Sequence, residues 1–123
     1  MAPAKQNLGD VGEQLACDFL KTKGYEILER NYRYGHGELD IIAKDGEMLV
    51  FVEVKTRQSQ NYGPPEYSLT YGKQKQLRHI AEGYFYEHNI AEHACRFDVV
   101  TIEFLNNTHQ INHIEHAFTF YDR

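Results

Sequence analysis

The sequence predicts an α/β domain in which a mixed β-sheet is flanked by helices, in the order α-β-β-β-α-β-β. Three observations carry this expectation. Apolar residues recur at helical spacing in residues 8–23 and 68–88; two β-type runs meet at Asp45-Gly46; and a strand pattern returns after residue 95, broken at Asn106-Asn107.

In the first helix Leu8, Val11, Leu15, Ala16, Phe19 and Leu20 form the apolar stripe, with Gly24 placed to end it. Residues 25–30 read as a short strand and residues 31–37, rich in Tyr and Gly, as a turn. The next stretch, GELDIIAKDGEMLVFVEVKTR, is a hairpin in which Asp45-Gly46 signals a two-residue type I′ loop flanked by Lys44 and Glu47. That register sets Ile42 opposite Leu49, Asp40 opposite Phe51 and Glu38 opposite Glu53. One hairpin face then carries Leu39, Ile41, Ala43, Met48, Val50, Val52 and Val54, with no charge. The other changes from Ile42, Leu49 and Phe51 near the loop to Glu38, Asp40, Glu53 and Lys55 at the far end. Residues 58–65 (QSQNYGPP) read as a polar loop whose paired prolines delay helix entry. Leu77, Ile80, Ala81, Tyr84 and Phe85 mark the second helix, and residues 96–105 and 110–118 the last two strands.

At 123 residues the chain is expected to be one domain, 1–123, with residues 1–7 a flexible N-terminus. Two cysteines, Cys17 and Cys95, make no disulfide framework and read as reduced thiols. No apolar run reaches the length of about 20 residues that a membrane helix needs, and MAPAKQN lacks a signal-peptide core, so no membrane association and a cytoplasmic location are expected. The formal net charge of −5 argues against gripping nucleic acid by overall charge. Local basic surfaces are still available at Arg30 with Arg33, at Lys55 with Arg57, and along KQKQLRH from Lys73.

The ionic end of the hairpin holds the chemistry. Asp40 and Glu53 are diagonal neighbours, with Cβ atoms expected roughly 7 Å apart, a separation that suits two carboxylates sharing one divalent cation. Phosphodiester hydrolysis needs a cation to neutralise the phosphate and an activated water. Mg²⁺ takes oxygen ligands and needs only one or two protein carboxylates, here Asp40 and Glu53, with the Val54 carbonyl as a third donor. Lys55 shares their face, beside the water and the scissile phosphate. The bland alternative is a salt-bridged hairpin end, but it leaves three charges inside strand-type sequence without a common cause.

The pattern GELD, a short spacer, then VEVK resembles the PD-(D/E)xK nuclease motif shared by type II restriction enzymes and archaeal Holliday-junction resolvases. Through GDVGEQLA, RNYR, GELDIIA, FVEVKTR, KQKQL, RFDVV and HIEHAF, the chain from Gly9 nearly to its end resembles the bacterial YraN family of small predicted endonucleases. The resemblance implies a restriction-endonuclease-like core, dependence on Mg²⁺ or Mn²⁺, and a structured DNA substrate. It matches Asp40, Glu53 and Lys55 to the motif and Glu13 to a helical glutamate that resolvase-like members add to the metal shell. Gly37-Glu38 departs from the proline that many members of the wider superfamily carry near the aspartate.

Further candidates surround this site. Lys73 and Gln74 open the second helix, where they could reach a phosphate or the site water, and Arg30, Arg33 and Arg57 are phosphate candidates. Tyr32, Tyr34, Tyr62, Tyr67 and Tyr71 either stack on unpaired bases or pack on the core. Asp98 is expected to pair with Arg96. His113 and His116 point to opposite strand faces, which excludes a zinc site. The expected function is metal-dependent hydrolysis of DNA, on branched or single-stranded substrates, with a homodimer as the analogy for cutting two strands. The alternatives are a non-catalytic nucleic-acid-binding or assembly protein that keeps the fold, and an enzyme acting on nucleotides.

Overall fold

Helix α1 (Leu8–Thr22) starts at Asn7, whose side chain accepts the Asp10 N–H at 2.8 Å and satisfies one of the free amides of the first turn. Asn7 therefore belongs to the helix cap and not to a flexible N-terminus. In this computed structural model the described residues are 7–58, 69–91 and 93–118, so residues 1–6 and most of the QSQNYGPP loop lie outside them. The order α1, β1 (Glu26–Tyr34), β2 (Gly37–Asp45), β3 (Met48–Gln58), α2 (Tyr71–Glu87), β4 (Cys95–Leu105), β5 (Thr108–Phe118) is the predicted one. The five strands form one sheet in sequence order, antiparallel except where β3 and β4 run parallel across the α2 connection.

The sheet has a core on each side. Ala16, Cys17 and Leu20 of α1 pack with Ile41, Ala43, Val50, Val52, Val100 and Ile102. On the other side Leu77, Ile80, Ala81 and Tyr84 of α2 pack with Tyr32, Leu39, Ile42, Leu49, Phe51 and Phe97. Cys17 and Cys95 are free thiols. No helix among the described residues is long and apolar enough to cross a membrane.

The β2–β3 hairpin departs from the predicted register. Asp45 pairs with Met48, Ala43 with Val50 and Ile41 with Val52, so the loop is Gly46-Glu47 and not Asp45-Gly46. Gly46 takes φ +62° as the first loop residue, the place a type II′ loop reserves for glycine. Asp45 is held in the strand, where it accepts from Arg96 Nη1 at 3.3 Å. The slip is by two residues, so the parity of the faces survives. Likewise, the stretch predicted as a turn over residues 31–37 is mostly strand. Only Gly35-His36 turns, between the paired Tyr34 and Gly37, with Gly35 at φ +61°.

Helix α2 approaches β1 closely at Gly83, where a Cβ would sit 2.3 Å from Cγ of Tyr34. Gly83→Ala is therefore expected to cost stability, the clash with a rigid ring outweighing the helix-propensity gain of about 1 kcal/mol. A urea midpoint equal to or above that of wild type would contradict this packing.

On the α1 side lies a buried polar network. Arg96 Nε donates to Asp98 Oδ1 at 3.0 Å, the predicted pairing, and His113 Nε2 lies 2.7 Å from Asp98 Oδ2. Arg96 also donates to the Tyr25 hydroxyl. At a register shift in the β4–β5 ladder, His116 takes φ +53° and its N–H donates to Asp98 Oδ1 at 3.2 Å.

Candidate metal and phosphoester site

Asp40 sits where the sheet's regular alternation breaks. Leu39 and Ile41 are two residues apart, yet they belong to cores on opposite sides of the sheet. The prediction that they share a face is thus corrected. On the neighbouring strand Asn31 takes φ +52°, a left-handed conformation that Asn tolerates better than most residues. The β2–β3 ladder ends at Ile41↔Val52, while β3 stays paired with β4 as far as Gln58↔Phe104. Asp40 and Glu53 are the next residues past that last pair. In place of a ladder bond, Asp40 Oδ2 accepts the Val54 N–H at 2.7 Å.

The two carboxyl groups lie close enough for each to act on the other's protonation. Burial, and then the neighbouring Glu53 carboxyl, hold the Asp40 carboxyl well above the usual carboxylate range. The Val54 N–H opposes the shift and the charge of Glu13 adds to it. Burial beside a second carboxylate thus favours the neutral form of Asp40 when no cation is bound.

Lys73 reaches this pair from α2, with its Nζ 3.1 Å from Glu53 Oε2. Thr70 fixes the helix start by accepting the Lys73 N–H at 3.1 Å. Glu53 is 7% exposed, so solvent screens the ion pair little on the carboxylate side. Lys55 lies two residues beyond Glu53, in register with Thr101, and its side chain is exposed. Gln74 instead donates to the Leu69 carbonyl at 3.0 Å.

Glu13 of α1 enters from the other side through Asn31. The Asn31 side-chain amide donates to Glu13 Oε1 and to Glu38 Oε1, each at 2.8 Å. Glu38 pairs across β1 with Arg33 and not across β3 with Glu53, and Arg33 Nη2 lies 3.4 Å from Glu38 Oε2. Arg30 donates to Gln14 at 3.0 Å, beside a groove of about 370 Å³ that Asp10, Glu13 and Asn31 also line. Arg57 donates from Nε and Nη2 to Glu103 Oε1 at 2.7 and 2.5 Å. Of the tyrosines, Tyr32 is core and Tyr34 packs against α2, whereas Tyr71 is 67% exposed. Tyr62 and Tyr67 lie outside the described residues.

Among the described residues no three His, Cys, Asp or Glu side chains form a ready metal cage. The donor set is the Asp40–Glu53 pair, with Glu13 held nearby. Two hard oxygen ligands fit Mg²⁺ or Mn²⁺, since such ions keep several waters and ask for few carboxylates. Asn31 is the residue that sequence reasoning missed. Its only signal is that Asn accepts a left-handed backbone, which a strand pattern hides.

The chain is 49% identical over 115 residues to a UPF0102 protein of Thermodesulfovibrio yellowstonii, covering 94% of this chain and 98% of that one. It is 48% identical over 117 residues to one of Caldicellulosiruptor saccharolyticus, covering 93% and 98%. With one of Geobacter metallireducens the identity is 44% over 118 residues, covering 96% and 97%. The profile of the uncharacterised protein family UPF0102 matches residues 12–102. The chain belongs to the UPF0102 family, also called YraN.

Proposed function

We propose that the protein is a metal-dependent endonuclease that hydrolyses DNA phosphodiester bonds at the Asp40–Glu53 pair. The observation that carries this is two partly or fully buried carboxyl groups held in contact where β2 and β3 part, an arrangement that is costly unless a cation uses it. Asp40 and Glu53 would hold Mg²⁺ or Mn²⁺, with Glu13 and the Val54 carbonyl as further donors. When bound, such an ion neutralises charge on the phosphate and lowers the pKa of a water. The chain's own groups do the rest. Lys55, exposed beside Glu53, places an ammonium at the phosphate, and Lys73 holds the Glu53 carboxylate in position. Arg30, Arg33 and Arg57 are partly or largely exposed and offer guanidinium groups to the DNA backbone. Without a motif for reading base sequence, recognition falls to the shape of branched or single-stranded DNA. A homodimer would place two such sites on two strands.

One observation favours the rival reading, a binding protein that keeps the fold: Lys73 already occupies a Glu53 oxygen. Incubation with plasmid, single-stranded, flap and four-way-junction DNA, in Mg²⁺ or Mn²⁺, separates the two. Cleavage of at least one substrate is expected, with Glu53→Gln slower by about 10³-fold and Lys55→Ala by about 10²-fold. Cleavage surviving in Glu53→Gln would overturn the site. Metal-independent binding without cleavage, unchanged in Lys55→Ala, would favour the binding protein.

A further inference from the structure

The carboxylate pair has a cation of its own. Among the described residues, Lys73 is the only positively charged side chain that pairs with either carboxyl group, its Nζ 3.1 Å from Glu53 Oε2. The other cations nearby are placed differently: Arg57 is committed to Glu103 and Arg33 to Glu38, while Lys55 is exposed. Lys73 and Glu53 are unequal partners. The Glu53 side chain is 9% exposed and that of Lys73 36%, so the ammonium stands on the solvent side of the carboxylate. Asp40 is half-buried as well, which leaves the pair open to an ion from solution.

A buried carboxylate needs a counter-charge, and in the ion-free protein Lys73 supplies it. A divalent ion on Asp40 and Glu53 changes the count. Its two positive charges match the two carboxylates, and the ammonium, a few ångströms away, is then repelled. Thr70 fixes the backbone of the first turn of α2 by accepting the Lys73 N–H, but the charge rides on a flexible four-carbon stem, so it leaves Glu53 without any movement of the helix. A phosphodiester at the site carries one negative charge, which the displaced ammonium meets. Ion, carboxylates, ammonium and phosphodiester then sum to zero.

We propose that Lys73 is an exchangeable counter-ion: it neutralises Glu53 in the ion-free protein, yields that oxygen to the divalent ion and moves to the phosphodiester, so that ion and DNA each favour the binding of the other. The identity of both ligands rests on the nuclease reading. Holding Glu53 and serving the phosphate are two stations of one side chain. A lysine suits this task, because its compact charge engages one oxygen and lets go, whereas a guanidinium grips a carboxylate through two bonds at once. A fixed structural ion pair has the opposite consequence, since removing Lys73 would leave Glu53 without its partner and loosen the ligand on which the ion depends.

The test is calorimetric titration of Mn²⁺ into the metal-free whole chain, wild type against Lys73→Met, which keeps the aliphatic stem and loses the charge. The variant is expected to bind Mn²⁺ about tenfold more tightly, because the ion no longer displaces a resident cation. Lys73→Gln gives the same readout should Lys73→Met fail to fold. Fluorescence anisotropy of a short single-stranded DNA, in EDTA and in Ca²⁺, which takes the same oxygen ligands, reads the second station. Ca²⁺ is expected to raise the DNA affinity of the wild type about tenfold more than that of Lys73→Met. Mn²⁺ binding by the variants that is equal to or weaker than that of the wild type would overturn the exchange and leave the metal site standing. An equal Ca²⁺ effect in wild type and variant would overturn the transfer to the phosphodiester. No Mn²⁺ binding by any of these proteins would remove the metal site and the exchange together.

Discussion

Asp40→Asn is expected to abolish cleavage and, in the metal-free protein, to raise stability by about 1–3 kcal/mol. The asparagine keeps an oxygen for the Val54 N–H and adds an amide that donates to Glu53, so no charge has to be buried and no proton captured. The pH dependence follows from the raised folded-state pKa of Asp40, caused by burial and then by Glu53. Between the unfolded value near 4 and that raised value the folded state binds more protons than the unfolded one, so the wild type loses stability as pH rises. The variant lacks this dependence, and the two curves converge at low pH. Thermal unfolding in EDTA across that range measures the difference. A variant less stable than wild type at pH 8 would contradict the view that the pair is strained without a cation. Residues that serve a site at the expense of the fold are a familiar trade-off.

The second large effect lies away from the site. Asp98→Asn leaves Arg96, which is 7% exposed, without its nearest buried counter-charge. A loss of about 3–5 kcal/mol is expected, since breaking a buried ion pair strands the remaining charge. Burial alone would raise the Asp98 pKa, but hydrogen bonds from His113 and Arg96, the Arg96 charge and the His116 N–H together hold it below the usual carboxylate range. The unfolded state therefore binds the extra proton, and this stabilisation is complete above pH of about 4 and is lost as pH falls through the lowered value. Urea denaturation at pH 7 and at acid pH checks both statements. A loss under about 1 kcal/mol at pH 7 would show that the network does not hold the β4–β5 end together.

Periodicity and turn chemistry made the order of elements legible, because α1 and α2 each bury one stripe and the hairpin buries alternating residues. That Asp40 and Glu53 share the far end of the hairpin was legible, but not as the diagonal pair expected: the two-residue slip makes them the next positions opposite each other beyond Ile41 and Val52. The register itself was not, because Asp-Gly suits a loop starting at either residue and the contact that holds Asp45 in the strand comes from Arg96, far along the chain. Leu39 was misplaced because a left-handed Asn31 inside a strand looks like any other strand residue in sequence. Lys73 was visible as a first-turn cation, but not its partner, because Glu53 lies on another element. The arginines read as ready for phosphate each have a partner inside the chain, and the pairing of Arg57 with Glu103 depends on the parallel β3–β4 register.

Calorimetric titration of Mn²⁺ into the metal-free protein tests the central claim most directly. Saturable binding of an ion is predicted for the wild type, weakened at least about tenfold in Asp40→Asn and in Glu53→Gln. Equal binding by wild type and both variants, or no binding by the wild type, would contradict a metal site at the parting of β2 and β3.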